Sequence, residues 1–80
     1  MTCEIIKIQK KKSRYGKYYF LCCFKDLEGN SFITYIYESM RNYSRWKKVL
    51  NVGTTLSGLN LLKGRKNIID ADSRFSIVKE

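Results

Sequence analysis

The residue types that perform nucleophilic chemistry are scarce in this 80-residue chain. It contains no histidine, which excludes Ser-His and Cys-His nucleophile pairs and the usual zinc ligand sets. Its three cysteines, Cys3, Cys22 and Cys23, are an odd number without CxxC spacing. Cys22 and Cys23 lie in an aromatic run, where a free thiol behaves as a small hydrophobe. The cysteines therefore predict neither a zinc site nor a redox pair.

One pair of carboxylates has a spacing that could serve a metal. Asp70 and Asp72 alternate, so on a strand both would face one way and could hold Mg²⁺ for nuclease chemistry. No third acid lies near them, and Ser73-Arg74 follows at once, which favours a turn with a local salt bridge. We predict no catalytic residue, no metal and no cofactor, and we expect that the protein is not an enzyme.

Positive charge is the strongest chemical signal. The chain carries sixteen Lys and Arg against seven Asp and Glu, a net charge of +9, yet it is 44% hydrophobic and 14% aromatic, which is a folding composition. Twelve of the sixteen cations lie in the stretches 10–17, 41–48 and 63–66, none of which contains an acid. Such a distribution favours an anionic partner, most commonly nucleic acid.

The first half of the chain has the pattern of three strands joined by turns. Residues 3–10 alternate Ile with charge, residues 17–26 are aromatic and apolar, and residues 31–38 are β-branched and aromatic. The segments between them, 11–16 and 27–30, have the composition of turns. This pattern predicts a three-stranded meander.

The second half begins with a helical pattern. Within 41–50 the apolar groups follow helical spacing, and Trp46, Val49 and Leu50 are expected to plug the bottom of a barrel. Residues 54–62, bent at Gly58, predict a fourth strand, and 67–78 predict a fifth after a basic turn at 63–67. Closing five short strands removes exposed edges. We therefore predict an all-β fold over 1–80, a single domain built as a five-stranded OB-fold barrel with a short helix between strands 3 and 4. An SH3-like barrel is the main competitor, but it would not need this helix.

The pairing of the second and third strands decides which aromatic rings face solvent. If 27–30 is a four-residue turn, Cys22 pairs with Tyr35 and Phe20 with Tyr37. One face then carries Tyr18, Phe20, Cys22, Phe24, Ile33, Tyr35 and Tyr37. Both faces are apolar, but tyrosine suits a half-hydrated surface, so we expect this tyrosine-rich face to be exposed. Tyr19 would then lie on the opposite face from Tyr35.

Four segments carry a resemblance to a known family: Gly16-Lys17-Tyr18-Tyr19-Phe20, Asp26-Leu27-Glu28-Gly29, the stretch 46–53 (WKKVLNVG) and Leu56-Ser57-Gly58. In this order they resemble the small OB-fold single-stranded-DNA-binding proteins, many of them encoded by phages and plasmids. The resemblance covers nearly the whole chain and implies binding of single strands. Bacterial housekeeping members end in a flexible acidic tail, whereas this sequence stops at Lys79-Glu80, so recruitment through such a tail is not expected.

The basic stretches fit that interpretation. Two of them fall on the predicted turns between strands 1 and 2 and between strands 4 and 5, which in an OB-fold flank the face where oligonucleotides lie. Binding that tolerates any sequence needs cations along the phosphates and rings on which bases stack. The residues expected to contact nucleic acid are Lys10, Lys11, Lys12, Arg14, Tyr15, Lys17, Tyr19, Tyr35, Tyr37, Arg45, Arg65 and Lys66.

The sequence therefore predicts a protein that binds single-stranded DNA with little sequence preference, in the replication or recombination of a phage or mobile element. An RNA-binding module of cold-shock type, or a small adaptor that binds an acidic protein, stays open, as does a homo-oligomer. No apolar run approaches the ~18 residues of a membrane span. Charged residues interrupt the N-terminal segment, unlike a signal peptide. We expect a cytoplasmic protein without membrane contact.

Overall fold

Antiparallel pairing of consecutive strands builds the first half of the molecule. The computed structural model describes residues 1–78, so the expectation about a tail at 79–80 lies outside the described residues. Strands β1 (Cys3–Lys12), β2 (Tyr18–Asp26) and β3 (Ser31–Tyr37) form the predicted meander. Strand β1 continues two residues beyond its predicted end because Lys11 and Lys12 pair with Tyr19 and Tyr18. The connection to β2 is therefore tighter than predicted.

The predicted register between β2 and β3 is wrong by one residue. Phe20 pairs with Ile36 and Cys22 with Thr34, and all four side chains are on the core side. Since successive side chains point to opposite faces, a slip of one residue exchanges the faces of one strand against the other. The face predicted to be exposed is wrong for β2: Phe20, Cys22 and Phe24 face the core, whereas Tyr19 and Tyr35 share the outer face.

The turn after β2 explains this register. The backbone N–H of Asp26 donates to the carbonyl oxygen of Asn30 at 3.0 Å, so three residues rather than four form the loop. Oδ1 of Asp26 accepts the N–H groups of Glu28 (3.0 Å) and Asn30 (2.8 Å). Gly29 completes the loop with φ of 85°. A type I turn followed by a left-handed glycine is a common three-residue hairpin connection.

The helix lies between β3 and β4 as predicted, but it is shorter. Helix α1 covers Tyr43–Lys47, five residues instead of the predicted ten. Asn42 precedes it and makes no capping hydrogen bond with its side chain, whose Nδ2 donates to the carbonyl oxygen of Ala71 at 2.6 Å. Trp46 is fully buried, donates from Nε1 to the same oxygen at 2.8 Å, and packs on Phe75 with the ring centroids 4.4 Å apart. The core role predicted for Trp46 is confirmed.

The last two strands are much shorter than predicted. Strands β4 (Thr55–Ser57) and β5 (Ser76–Ile77) pair with each other, and the sheet order is β3-β2-β1-β4-β5. Gly58 ends β4 in a left-handed conformation, and a Cβ atom there would lie 2.7 Å from the carbonyl oxygen of Arg74. The bend predicted at Gly58 is present, but β4 ends there instead of continuing to residue 62.

This sheet is not closed as a barrel, which corrects the predicted closed architecture. β3 and β5 form the edges of the five-stranded sheet. Two isolated bridges extend the β3 edge, a parallel one between Ile33 and Ile68 and an antiparallel one between Leu61 and Ile69. The predicted fourth and fifth strands are interrupted, so single bridges are present where continuous strands would form a ladder of pairs. Within residues 1–78, no helix is long and apolar enough to span a membrane.

Candidate nucleic-acid interface

The outer face of strands β1, β2 and β3 presents tyrosine rings and lysines together. The register determines which residues form this outer face, because the alternate residues Phe20, Cys22 and Phe24 point into the core. We call this surface the tyrosine face. Its members are Glu4, Lys7, Gln9 and Lys11 on β1, Tyr19, Leu21, Cys23 and Lys25 on β2, and Ser31, Ile33, Tyr35 and Tyr37 on β3.

Three tyrosine rings lie against one another at one end of this face. The ring centroid of Tyr19 is 5.1 Å from that of Tyr37 and 6.0 Å from that of Tyr35. The ring planes are tilted by 33° and 60°, and Tyr35 is 40% exposed while the other two are half-buried. These three residues were predicted to contact bases, although the predicted register separated Tyr19 from the other two. Adjacent exposed rings offer flat surfaces to unpaired bases.

Lysines lie in the row of β1 beside these rings. Lys11 is paired with Tyr19 across the ladder, and Lys7 is paired with Cys23. Lys25 lies further along β2, opposite Glu4. Sequence reasoning missed Lys7 and Lys25 as candidate contacts because it looked for cations in turns. Each of the two lysines lies two and four residues along its strand from other members of the face. Residues at even spacing in a strand share a face, so this spacing could have identified them once the register was known.

The basic segment between β1 and β2 forms a projecting hairpin arm, residues 10–18. Its tip is closed by Ser13, whose N–H donates to the carbonyl oxygen of Lys17 at 2.7 Å and whose Oγ accepts the Lys17 N–H at 3.1 Å. Tyr15 at the tip is 83% exposed. Lys10 and Lys12 point away from the tyrosine face, with Nζ at 5.0 Å and 5.6 Å from the Tyr18 ring centroid.

Because β1 extends to Lys12, the cations of this loop that were predicted to contact nucleic acid do not all lie on one side. Of the predicted contacts in the arm, Lys11 points to the tyrosine face and Lys10 and Lys12 to the reverse side. The remaining ones, Arg14, Tyr15 and Lys17, lie at the exposed tip. Every cation of the arm is exposed, so the arm is positively charged on both sides.

The second basic loop, which contains Arg65 and Lys66, lies at the other end of the face. Asn67 follows it, and its carbonyl oxygen accepts the N–H of Ile33 at 3.0 Å, while Ile68 runs parallel to β3. A parallel pairing places the residues before Asn67 beside the start of β3, whereas the hairpin arm extends past the end of β3. The two basic loops thus lie at opposite ends of the tyrosine face.

Arg45 does not join this surface. Its Nη2 donates to the carbonyl oxygen of Phe75 at 3.1 Å, and its guanidinium carbon lies 5.1 Å from the Phe75 ring centroid. The guanidinium therefore fastens α1 to the segment before β5, although the residue is exposed. The prediction that Arg45 contacts nucleic acid is not favoured by this placement.

A cavity of about 320 Å³ opens where the hairpin arm meets the end of β3. Its lining combines two tyrosine rings, one cation and one carboxylate, from Gly16, Lys17, Tyr18, Tyr37, Glu38 and Ser39. Tyr37 belongs both to this cavity and to the tyrosine face. The cavity is therefore continuous with the face.

Two buried thiols of the sheet are harder to ionise than a free cysteine. Burial raises the pKa of the Cys22 thiol to about 12 and also raises the pKa of Cys3. Hydrogen bonds from the side chain and then the backbone of Asn30 hold the pKa of the Asp26 carboxyl below its ordinary value, which fits its role in the turn. Oδ1 of Asp70 accepts the Asp72 N–H at 2.9 Å, which makes this pair part of a turn. Among residues 1–78, no three His, Cys, Asp or Glu side chains come together in a metal-binding arrangement.

Comparisons with protein-family models, with curated proteins and with solved structures found no match to this chain.

Proposed function

We propose that this protein binds single-stranded DNA through the tyrosine face and the hairpin arm, with little overall preference for sequence. The observation that carries the proposal is the contact of Tyr19 with Tyr35 and Tyr37 on an outer sheet face lined by lysines. Base–aromatic stacking contributes about 1–3 kcal/mol per base and accepts any base, because every base has a π-face.

The arrangement of charge supports a chain-like anion as the partner. Cations occur at both ends of the tyrosine face, in the hairpin arm and in the loop 63–66, and Lys7 and Lys11 lie along it. From Lys25 to Tyr19 the strand β2 advances about 20 Å, at about 3.4 Å per residue. That length suits several nucleotides laid across the face, as in other single-strand-binding surfaces.

Exposed rings favour a single strand over a duplex. In a duplex the base faces are stacked on one another and only their edges are accessible in the grooves. The rings of Tyr19, Tyr35 and Tyr37 lie on the sheet surface itself, beside the projecting hairpin arm. Rings on an open surface fit unpaired bases, which stack on them.

We also propose that the fold is an open form of the OB type. Three pairings support this: β1 pairs with both β2 and β4, the segment at Ile68 runs parallel to β3, and Leu61 pairs with Ile69. In this interpretation 55–62 and 67–77 are the fourth and fifth barrel strands, each interrupted by a bend. The tyrosine face would then be the oligonucleotide-binding face of the fold.

A fluorescence-anisotropy titration tests the proposal. Labelled oligo-dT, the corresponding oligo-U and a duplex of equal length are titrated with the protein at low and at high salt. We expect oligo-dT to bind more tightly than the duplex, with affinity falling steeply as salt increases. Tighter binding of the duplex, or no binding of any oligomer at low salt, would overturn the proposal, and tighter binding of oligo-U would assign the face to RNA.

A further inference from the structure

The cavity beside the hairpin arm has fixed walls. One wall is the arm's tip, where the N–H of Gly16 donates to the carbonyl oxygen of Ser13 at 3.0 Å. The other wall is the turn after β3, where the N–H of Met40 donates to the carbonyl oxygen of Tyr37 at 3.1 Å. The N–H of Tyr37 in turn donates to Sδ of Met40 at 3.2 Å. Both walls are hydrogen-bonded turns of the backbone, and the side chains of Lys17, Tyr18 and Glu38 complete the lining.

The size and position of the cavity match a single base of a bound strand. Its volume of about 320 Å³ lies at the lower end of the range for small-molecule sites. Tyr37 lines it and also contacts Tyr19 on the tyrosine face, with 5.1 Å between ring centroids. A strand stacked along the face therefore reaches the cavity at its end, and Lys17 in the lining can bind the adjoining phosphate.

The cavity contains a carboxylate next to the end of β3 where the three tyrosine rings meet. Glu38 supplies the one carboxylate among the lining residues, and an ionised carboxylate only accepts hydrogen bonds. A carboxylate pairs well with the exocyclic amino group of cytosine, whereas thymine presents a carbonyl oxygen at the same ring position, which a carboxylate repels.

We propose that this cavity receives one base of the bound strand and selects a base with an exocyclic amino group, through the carboxylate of Glu38. This inference rests on the proposed binding of single strands, and it adds a preference at one position to binding that otherwise tolerates any sequence. Ser39, also in the lining, offers a hydroxyl that both donates and accepts, so it supports the bound base without selecting it.

Two oligomers of equal length isolate the amino group. One is oligo-dT and the other is made of 5-methyl-deoxycytidine, which keeps the methyl group and differs from thymidine only at N3 and C4. Titrations are run near pH 8 so that cytosine stays unprotonated. We expect the 5-methyl-deoxycytidine oligomer to bind about fivefold more tightly, the lower end of the discrimination by a base-specific pair.

The variant Glu38→Gln tests the acceptor, because its carboxamide both donates and accepts and should reduce the ratio of the two affinities to about one. Glu28→Gln in the β2–β3 turn is the matched control: it makes the same charge change at an exposed residue, and the ratio should stay at about five. Both variants replace exposed side chains, and circular dichroism verifies that they fold.

The outcomes separate this inference from the proposed function. Equal affinities for the two oligomers in the unchanged protein, or the same preference in Glu38→Gln as in Glu28→Gln, overturn the base-selecting cavity and leave single-strand binding standing. Failure of the unchanged protein to bind either oligomer at low salt overturns the proposed function itself, and the cavity inference with it.

Discussion

Truncation of Tyr35 to alanine is the perturbation for which the structure gives the clearest magnitude. Tyr35 is 40% exposed on the tyrosine face, and its ring centroid lies 6.0 Å from that of Tyr19. Loss of one stacking partner costs about 1–3 kcal/mol of binding free energy, which weakens binding by roughly 5- to 150-fold. We expect that loss for oligo-dT in an anisotropy titration of Tyr35→Ala.

The variant should still fold, so its binding can be interpreted. A tyrosine buries roughly 150–250 Å² when it is fully covered. With 40% of the residue exposed, truncation removes about 90–150 Å² of buried surface, or about 2–4 kcal/mol as an upper bound. An 80-residue domain has about 4–12 kcal/mol of stability. A urea titration measures the actual loss, and binding is compared at a temperature where the variant is folded.

Two companion variants make the outcome decisive. Tyr35→Phe keeps the ring and loses only the hydroxyl group, so it should bind oligo-dT nearly as well as the unchanged protein. Tyr19→Ala should weaken binding as Tyr35→Ala does, because both residues lie on one face in the observed register. If Tyr35→Ala folds and binds oligo-dT with unchanged affinity, the assignment of the tyrosine face is refuted. If Tyr19→Ala alone keeps full affinity, the shared face of the two residues is refuted.

Three further predictions concern charge, thiol accessibility and the bend after β4. Each phosphate neutralised by the protein contributes about −0.7 to the slope of log affinity against log salt. Lys7→Ala should therefore reduce the magnitude of this slope for oligo-dT by about 0.7, whereas Lys47→Ala on α1 should leave it unchanged. Equal effects of the two variants would contradict the assigned face. Cys23 is half-buried on that face, so a thiol reagent should modify it faster than it modifies the two buried cysteines. Bound oligo-dT should slow the modification of Cys23. Mass spectrometry measures the modification, and equal rates for the three cysteines, or no protection by oligo-dT, would count against this placement. Gly58→Ala forces a Cβ atom to within 2.7 Å of a backbone carbonyl oxygen, whereas Gly64→Ala, at a similar φ, meets no atom within 4 Å. Urea titration should therefore show a clearly larger loss of stability for Gly58→Ala than for Gly64→Ala, where strain alone costs about 1–3 kcal/mol.

The strand order of the first half and the core position of Trp46 could be predicted from the sequence. Alternating and β-branched segments separated by turn residues specify the meander, and the only tryptophan, with Val49 three residues after it, indicates an apolar helix face. Trp46 and Val49 are indeed buried, and Leu50 is half-buried. These features depend on residue type and local spacing, which a sequence states directly.

The register and the strand lengths could not be obtained in the same way. The number of residues in the turn after Asp26 depends on hydrogen bonds from its carboxylate and on the left-handed conformation of Gly29. Both faces of β2 are apolar, so periodicity gave no independent check on that number. Similarly, the end of β4 is set by the close approach of Gly58 to Arg74, a contact between distant segments.

For the candidate site, the sequence predicted the grouping of the residues only in part. Tyr19, Tyr35 and Tyr37 come together, whereas the cations of the hairpin arm divide between two sides and Arg45 binds Phe75 instead. Consecutive lysines in a sequence suggest one charged patch, but adjacent side chains of a strand point to opposite faces of the sheet. Extension of β1 through Lys12 is what divides the predicted patch.

The location of the interface is the central claim, and nuclear magnetic resonance tests it most directly. Oligo-dT is added to isotope-labelled protein, and the shifts of backbone amides and tyrosine ring signals are followed. The account predicts the largest shifts at Tyr19, Tyr35 and Tyr37 and in the hairpin arm, with little change in α1 and β5. Shifts concentrated on α1 or β5, with the tyrosine ring signals unmoved, would contradict it.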